Sequence, residues 1–376
     1  MGKKKTKKVI LSALILCLCI ALTGLLVKQT IWREKSSSQR LDIIFNNTLD
    51  HKKVFDMTVN VESGDGSFSY IRSAGQMKDD SPFAIASITK MFTAAVIFNL
   101  VDSGQLSLNG TLDQLFEFDL IAGLHVYKGS DRTGSITIQQ LISQTSGLPD
   151  YFTEKGPDGT SFEEEILKKD TTIDFEQILS RSKQLEPHFI NGDEGKAFYS
   201  DLNFDLLGKV AEQVTGEPLE DLYNKYIIKP LNLESTYLSK NDSRFIPIHI
   251  GKELVHRPMA ISSQGASGGM ISNSTDLMKF LKAYFHGELF SPTHITNVTW
   301  NKIQYFPLQY GMGMMRVKMS RLMSPFFPAP EILGHSGSSG SFAFYCPSRD
   351  LFIVGTLNQT EKNPFQLIYQ MLDSVD

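Results

Sequence analysis

Ser87-Ile88-Thr89-Lys90 sets a hydroxyl and an amine three residues apart. On a helix, residues three apart share a face, so the Ser87 hydroxyl and the Lys90 amine meet. A serine hydroxyl becomes a nucleophile when a neighbouring base takes its proton and a positive charge steadies the alkoxide. The lead-in Phe83-Ala84-Ile85-Ala86 and the apolar stretch from Ile88 to Ser103 predict that Ser87 opens a buried helix. A helix start adds unbonded N–H groups and the positive end of the dipole, both suited to a developing oxyanion. The chemistry this allows is acyl transfer through a serine ester. An ordinary N-terminal turn carries the same four residues, so the tetrapeptide needs partners elsewhere in the chain.

Two later segments supply them. Phe198-Tyr199-Ser200-Asp201-Leu202-Asn203 runs into an apolar helical pattern, and Gly334-His335-Ser336-Gly337-Ser338-Ser339-Gly340 precedes a strand-like run. Leu141-Ile142-Ser143-Gln144-Thr145-Ser146-Gly147-Leu148-Pro149-Asp150 stands ahead of both, and Gly268-Gly269-Met270-Ile271-Ser272 and Tyr310-Gly311-Met312-Gly313 lie between them. Ser-x-x-Lys, a Tyr-x-Asn-like element and a His-Ser-Gly strand, in this order, resemble the serine penicillin-binding protein and β-lactamase superfamily. The Thr-Ser-Gly-Leu-Pro element is similar to the class C β-lactamase and D,D-carboxypeptidase branch. The resemblance covers residues 41–372.

The resemblance implies roles. Ser87 is the acylated nucleophile, Lys90 helps to deprotonate it, and Tyr199 is the other base, whose phenolate needs nearby positive charge. The N–H groups of Ser87 and Ser338 form the oxyanion hole. His335 stands where many relatives carry lysine and contacts the substrate carboxylate or the Tyr199 oxygen. Gly337 leaves room for substrate along the strand edge. Three positions depart from the pattern. Asp201 replaces the common asparagine, and its carboxylate favours the ammonium form of Lys90 or a protonated His335 if they approach. Asn203 takes the amide's role only across a spacing wrong by two. Gln144 replaces a histidine and reads as structural. A histidine at 335 is mostly neutral at pH 7 unless a carboxylate holds its proton, so anionic substrates should bind more weakly and with more pH dependence.

The elements that position these groups come next. The 376 residues are 41% hydrophobic and 21% charged, enough for a substantial core. A net charge of −4 carries no basic footprint for nucleic acid. Lys3, Lys4, Lys5, Lys7 and Lys8 form a cytoplasmic tail, residues 1–8, ahead of the uncharged apolar run 9–27, which is long enough to span a bilayer. A retained signal anchor is favoured over cleavage because Ala21-Leu22-Thr23 is a poor cleavage site. Residues 28–40 read as a stalk and 41–376 as the catalytic body outside the cytoplasmic membrane. Cys346 is the body's single cysteine and reads as a small buried hydrophobe. The histidines show no metal-binding spacing, so neither metal nor cofactor is expected.

Alternation over Val54 to Val61 and Ser67 to Ser73, joined by a Gly64-Asp65-Gly66 turn, predicts a first hairpin, and Gly340 to Tyr345 with Leu351 to Leu357 a second. Helical spacing marks Phe175 to Leu185, Leu202 to Val214, Asp276 to Phe285 and Pro364 to Leu372. The fold class is α+β. The resemblance implies a β-lactamase/transpeptidase-like arrangement, with an antiparallel sheet from both chain ends and an inserted helical lobe, preceded by one transmembrane helix. The expected function is a membrane-anchored serine hydrolase acting through acyl-Ser87. Its substrates are cell-wall D-alanyl-D-alanine peptides or D-alanyl esters on teichoic-type polymers, with β-lactams as mimics. A catalytically silent penicillin-binding or sensor protein and a β-lactamase are the alternatives.

Overall fold

The computed structural model describes residues 32–319, 329–360 and 362–376. The tail and the apolar run 9–27 lie outside the described residues. Among those described, no helix is long and apolar enough to cross a membrane.

The first helix that lies wholly within the described residues is α1, Ser37–Thr48. It starts inside the segment read as a stalk. Ser36 caps it through a reciprocal capping box with Gln39, so the polar run that resembled a linker is a helix start. The buried Arg40 donates to the Ser374 carbonyl and pairs with Asp376, which fastens this helix to the C-terminus.

Strands β1, Met57–Ser63, and β2, Ser69–Ala74, form the expected hairpin, with Glu62 opposite Ser69. Helix α2, Thr89–Asp102, is buried at every residue from 89 to 98 and again at Leu100. A helix that is apolar on all sides belongs in a core. Helix α3, Asp201–Thr215, packs against it, and α4, Ser274–His286, lies on the sheet. The later strands are β3, Asn301–Lys302; β4, Leu308–Gly311; β5, Met314–Val317; β6, Ile332–Ser336; β7, Ser341–Cys346; and β8, Leu351–Thr356. The last helix, α5, is Phe365–Leu372.

These strands form one eight-stranded sheet in the order β3-β4-β5-β6-β7-β8-β1-β2, antiparallel at every pairing. Val59 of β1 faces Gly355 of β8, so the two chain ends are joined inside the sheet, one strand in from its β2 edge. All six residues of β8 are buried. A strand buried on both faces needs cover on each side, and α4 and α5 both pack on it. Cys346 of β7 is fully buried. The expected α+β layout, with both chain ends in the sheet and helices between, is what the structure contains.

The β4–β5 turn is pressed against α2. Gly313 has φ +81, its N–H bonds the Ile142 carbonyl at 2.8 Å, and a Cβ there would lie 2.4 Å from the Ala94 methyl. Only glycine fits this approach. The contact locks this side of the sheet to the helix that begins two residues beyond Ser87.

Candidate active site

Ser87 lies in a single 3₁₀ turn, Ala86–Ile88, directly ahead of α2. Ala86 has φ +45, a left-handed conformation that costs an L-residue roughly 1–2 kcal/mol. Its surroundings hold it there. Ser341 Oγ donates to the Ile85 carbonyl at 2.8 Å, and Ser339 Oγ donates to the Ala84 carbonyl at 2.6 Å. A Cβ on Gly337 would meet the Ile85 carbonyl at 2.5 Å and the Ala86 methyl at 3.0 Å. The room that Gly337 was expected to leave for substrate is filled by the protein's own nucleophile turn. The β6–β7 turn is stapled to the backbone that carries Ser87. Ser338 sits exposed in that same turn.

Lys90 is fully buried, one helical turn after Ser87. Its Nζ donates to Ser87 Oγ at 3.2 Å and to the Ser267 carbonyl at 2.7 Å, and lies 2.5 Å from Asp201 Oδ1. Two hydrogen bonds and the close Asp201 carboxylate surround this nitrogen. Asp201 occupies the first position of α3, where the helix dipole favours a carboxylate. Thus Asp201 and Lys90 form a buried ion pair.

Tyr199, two residues earlier, is buried with its ring centre 5.0 Å from Lys90 Nζ. Its hydroxyl faces Ser87 and finds no hydrogen-bond partner among the described residues. Burial, and after it the Asp201 charge, push the phenol well above its usual value, while Ser87 acts the other way. Gln304, in the β3–β4 loop, grips the Tyr199 backbone: its Oε1 accepts from the Tyr199 N–H and its Nε2 donates to the Tyr199 carbonyl, both at 2.8 Å. Sequence reading missed Gln304, since nothing local ties it to a tyrosine 105 residues earlier.

His335 is fully buried on β6. Its ring lies 6.0 Å from that of Tyr199 and 5.7 Å from that of Tyr310. Nδ1 is 2.7 Å from the Ser336 carbonyl, so Nδ1 carries the proton and donates it. Nε2 then presents a lone pair, buried and without a partner among the described residues. Burial, followed by the Lys90 charge, pushes this imidazole down to about 3. The expectation that Asp201 would raise it is corrected, because Asp201 pairs with Lys90 instead. The imidazole therefore stays neutral near pH 7 and cannot supply the expected pH-dependent anion binding.

Asn203, expected on the substrate side, is fully buried and turned away from Ser87. Its Oδ1 accepts from Ser146 Oγ at 2.6 Å, and its Nδ2 donates to Gln144 Oε1 at 2.5 Å. Gln144 also accepts from the Ser200 N–H at 2.9 Å and donates to the Ser200 carbonyl at 3.1 Å. This network braces the turn between Tyr199 and Asp201. Gln144 acts through it and not on the substrate side.

Two further carboxyls, also missed, stand around the ion pair. Asp150 Oδ1 accepts from the Asp201 N–H at 3.0 Å, and Asp205 lies one helical turn beyond Asp201. Burial first, then the Asp201 charge, push Asp150 up to about 7 and Asp205 up to about 8. Asp205 therefore keeps a proton in the fold at pH values where the unfolded chain has lost it. That contribution to stability is full below the unfolded value near 3.9 and is lost as pH rises through about 8. Over this window one such proton changes stability by about 1.4 kcal/mol per pH unit. Asp205→Asn is expected to flatten the fall in thermal midpoint between pH 5 and 8, read by circular dichroism melts. An unchanged slope would show that Asp205 ionises normally.

The comparisons follow this geometry. A family model described as Beta-lactamase matches residues 61–373. Protein flp of Staphylococcus aureus (strain NCTC 8325 / PS 47) is 30% identical over 224 residues, which cover 53% of this chain and 38% of that protein. The chain thus spans well under half the length of that relative. The D-alanyl-D-alanine-carboxypeptidase/endopeptidase AmpH of Escherichia coli (strain K12) is 22% identical over 337 residues, 83% of this chain and 81% of AmpH. A solved D-stereospecific amidohydrolase from Streptomyces sp. aligns with TM-score 0.71 and 26% identity, covering 90% of this chain and 97% of that one. A penicillin binding protein from Bacillus halodurans shares the fold with TM-score 0.65 at 20% identity, over 89% of this chain and 97% of that one.

Proposed function

This chain belongs to the beta-lactamase family of serine hydrolases, and on that premise we propose that it cleaves cell-wall acyl groups through an acyl-Ser87 intermediate. The observation that carries the reading is the convergence on Ser87 Oγ of the Lys90 amine at 3.2 Å and the unpartnered Tyr199 hydroxyl.

The steps follow from those positions. Ser87 Oγ attacks the acyl carbonyl carbon. Its proton passes to the Tyr199 oxygen while the phenol's own proton moves to the leaving group, so the buried phenol need not exist as a free phenolate. Lys90, positioned by its ion pair with Asp201, steadies the negative charge on Oγ. The N–H groups of Ser87 and Ser338 take the carbonyl oxygen. The carbonyl-to-leaving-group bond breaks, the alcohol or amine departs, and water resolves the ester by the reverse proton path. The donors are D-alanyl-D-alanine peptides or D-alanyl esters of teichoic-type polymers, and β-lactams acylate Ser87 as mimics. The apolar run 9–27 behind five lysines supports a signal anchor that holds this body outside the cytoplasmic membrane.

One observation favours the silent binding or sensing alternative: Lys90 has its donors occupied, and Tyr199 keeps its proton. Turnover decides. The purified full-length chain is expected to hydrolyse p-nitrophenyl acetate and a D-alanyl ester, and Ser87→Ala to lose at least about 10³-fold in rate while keeping its circular dichroism spectrum. Equal rates in the two proteins would remove Ser87 from the reaction.

A further inference from the structure

Among the described residues three rings pack on Tyr199, and they differ in what they reach. Tyr310 and His335, with ring centres 5.6 and 6.0 Å away, are fully buried. Tyr305, edge-on at 6.0 Å, is 42% exposed, and its chain neighbour Phe306 is 80% exposed. These are the two most exposed large hydrophobic side chains of the described surface, and they adjoin. A single exposed apolar residue is ordinary, whereas an apolar patch beside a reacting group marks a binding surface. The loop that carries the pair, residues 303–307, is firmly held. Gln304 bonds the N–H and the carbonyl of Tyr199, both at 2.8 Å. The Leu308 N–H donates to the Tyr305 carbonyl at 2.8 Å, and the Ile303 N–H donates to the Leu308 carbonyl at 3.3 Å. Ile303 and Leu308 are the buried anchors of this turn. The Phe306 ring has no part in that anchoring, because most of it meets solvent.

We propose that Tyr305 and Phe306 form an aromatic platform for the leaving group, so that the preferred donors are esters or amides whose departing alcohol or amine carries an apolar or ring surface. The proposal rests on the acyl-Ser87 reading and adds to it the side of the substrate on which selectivity resides. Ser87 Oγ bonds to the carbonyl carbon, and the bond to the leaving oxygen or nitrogen breaks. The Tyr199 proton goes to that atom, and the Ser87 proton replaces it on Tyr199. The departing group therefore lies against Tyr199, and the one ring on Tyr199 that leads to solvent is Tyr305, with Phe306 beyond it. A ring or alkyl chain laid on this pair covers apolar surface that is otherwise wet, which favours its binding. A small polar leaving group covers none of it.

Matched esters test this on the full-length chain. The benzyl and methyl esters of N-acetyl-D-alanine share an acyl group and release alcohols of nearly equal acidity, so they differ in the surface of the leaving group. The benzyl ester is expected to exceed the methyl ester in kcat/KM by about tenfold. Phe306→Ser is expected to melt with the wild type, because the ring it removes is mostly exposed, and to bring that ratio down about fivefold or more. The acyl side is the control. The ratio between the methyl esters of N-acetyl-D-phenylalanine and N-acetyl-D-alanine is expected to stay within about twofold in the same variant. A wild-type benzyl preference near unity, or a Phe306→Ser effect on the acyl ratio in place of the leaving-group ratio, overturns the platform while p-nitrophenyl acetate is still hydrolysed at Ser87. If no compound, p-nitrophenyl acetate included, acylates Ser87, the serine hydrolase reading falls and the platform falls with it.

Discussion

Tyr199→Phe is expected to acylate about 10²- to 10⁴-fold more slowly than the wild type, with little change in stability. The substitution removes one oxygen that has no hydrogen-bond partner among the described residues, so the fold loses no bond. The backbone grip of Gln304 on residue 199 does not depend on the side chain and persists. What disappears is the relay between Ser87 and the leaving group. Lys90 is not free to replace it, since its amine already faces Asp201, the Ser267 carbonyl and Ser87. Stopped-flow acylation by an activated ester measures the effect. A rate within about threefold of wild type would transfer the proton path to Lys90.

Lys90→Met is expected to be doubly damaging. It removes the charge that steadies Ser87 Oγ, and it strands a carboxylate that is itself only 5% exposed. Breaking one side of a buried pair costs about 3–5 kcal/mol, whereas replacing both partners by apolar groups is often near neutral. The double variant Lys90→Met with Asp201→Leu should therefore recover most of the stability in urea titrations and none of the acylation. Asp150 and Asp205 sharpen this expectation, because burial and the Asp201 charge already push both carboxyls up, so neither offers Asp201 a compensating positive charge once the lysine is gone. If the single variant is as stable as the wild type, Asp201 does not depend on Lys90.

The parts of this site that the sequence exposed are the local ones. Ser87 and Lys90 are three residues apart and meet through helix geometry alone. Tyr199 and Asp201 stand two residues apart, and their Tyr-x-Asn-like spacing was read through the resemblance to the family's motif order. The first hairpin followed from alternation and its turn, the last from apolar strand-like runs and their turn, and the burial of β8 explains why its run reads as continuously apolar. The direction of a side chain was less legible. Asn203 shares a helix with Asp201, yet it points into the Gln144 and Ser146 network, and only the packed loop at 144–150 determines that. Gln304, Asp150 and Asp205 act through contacts across long stretches of chain or through burial, neither of which a local pattern records. Gly337 was read from the substrate's side, whereas the Ile85 carbonyl and the Ala86 methyl explain it. A first helix is expected to open at Leu41–Phe45; its true start at Ser37 was hidden because capping residues are the same serines and glutamine that mark a linker.

The central claim is the ester on Ser87, and trapping it is the most direct test. The full-length chain and Ser87→Ala would be mixed with an activated D-aminoacyl ester and, separately, with a penicillin, quenched in acid within milliseconds to seconds, digested, and examined by mass spectrometry. The account predicts an acyl mass on the peptide that contains Ser87, absent from the variant. Product formation with the acyl group on another residue, or with an equal adduct in Ser87→Ala, would contradict it.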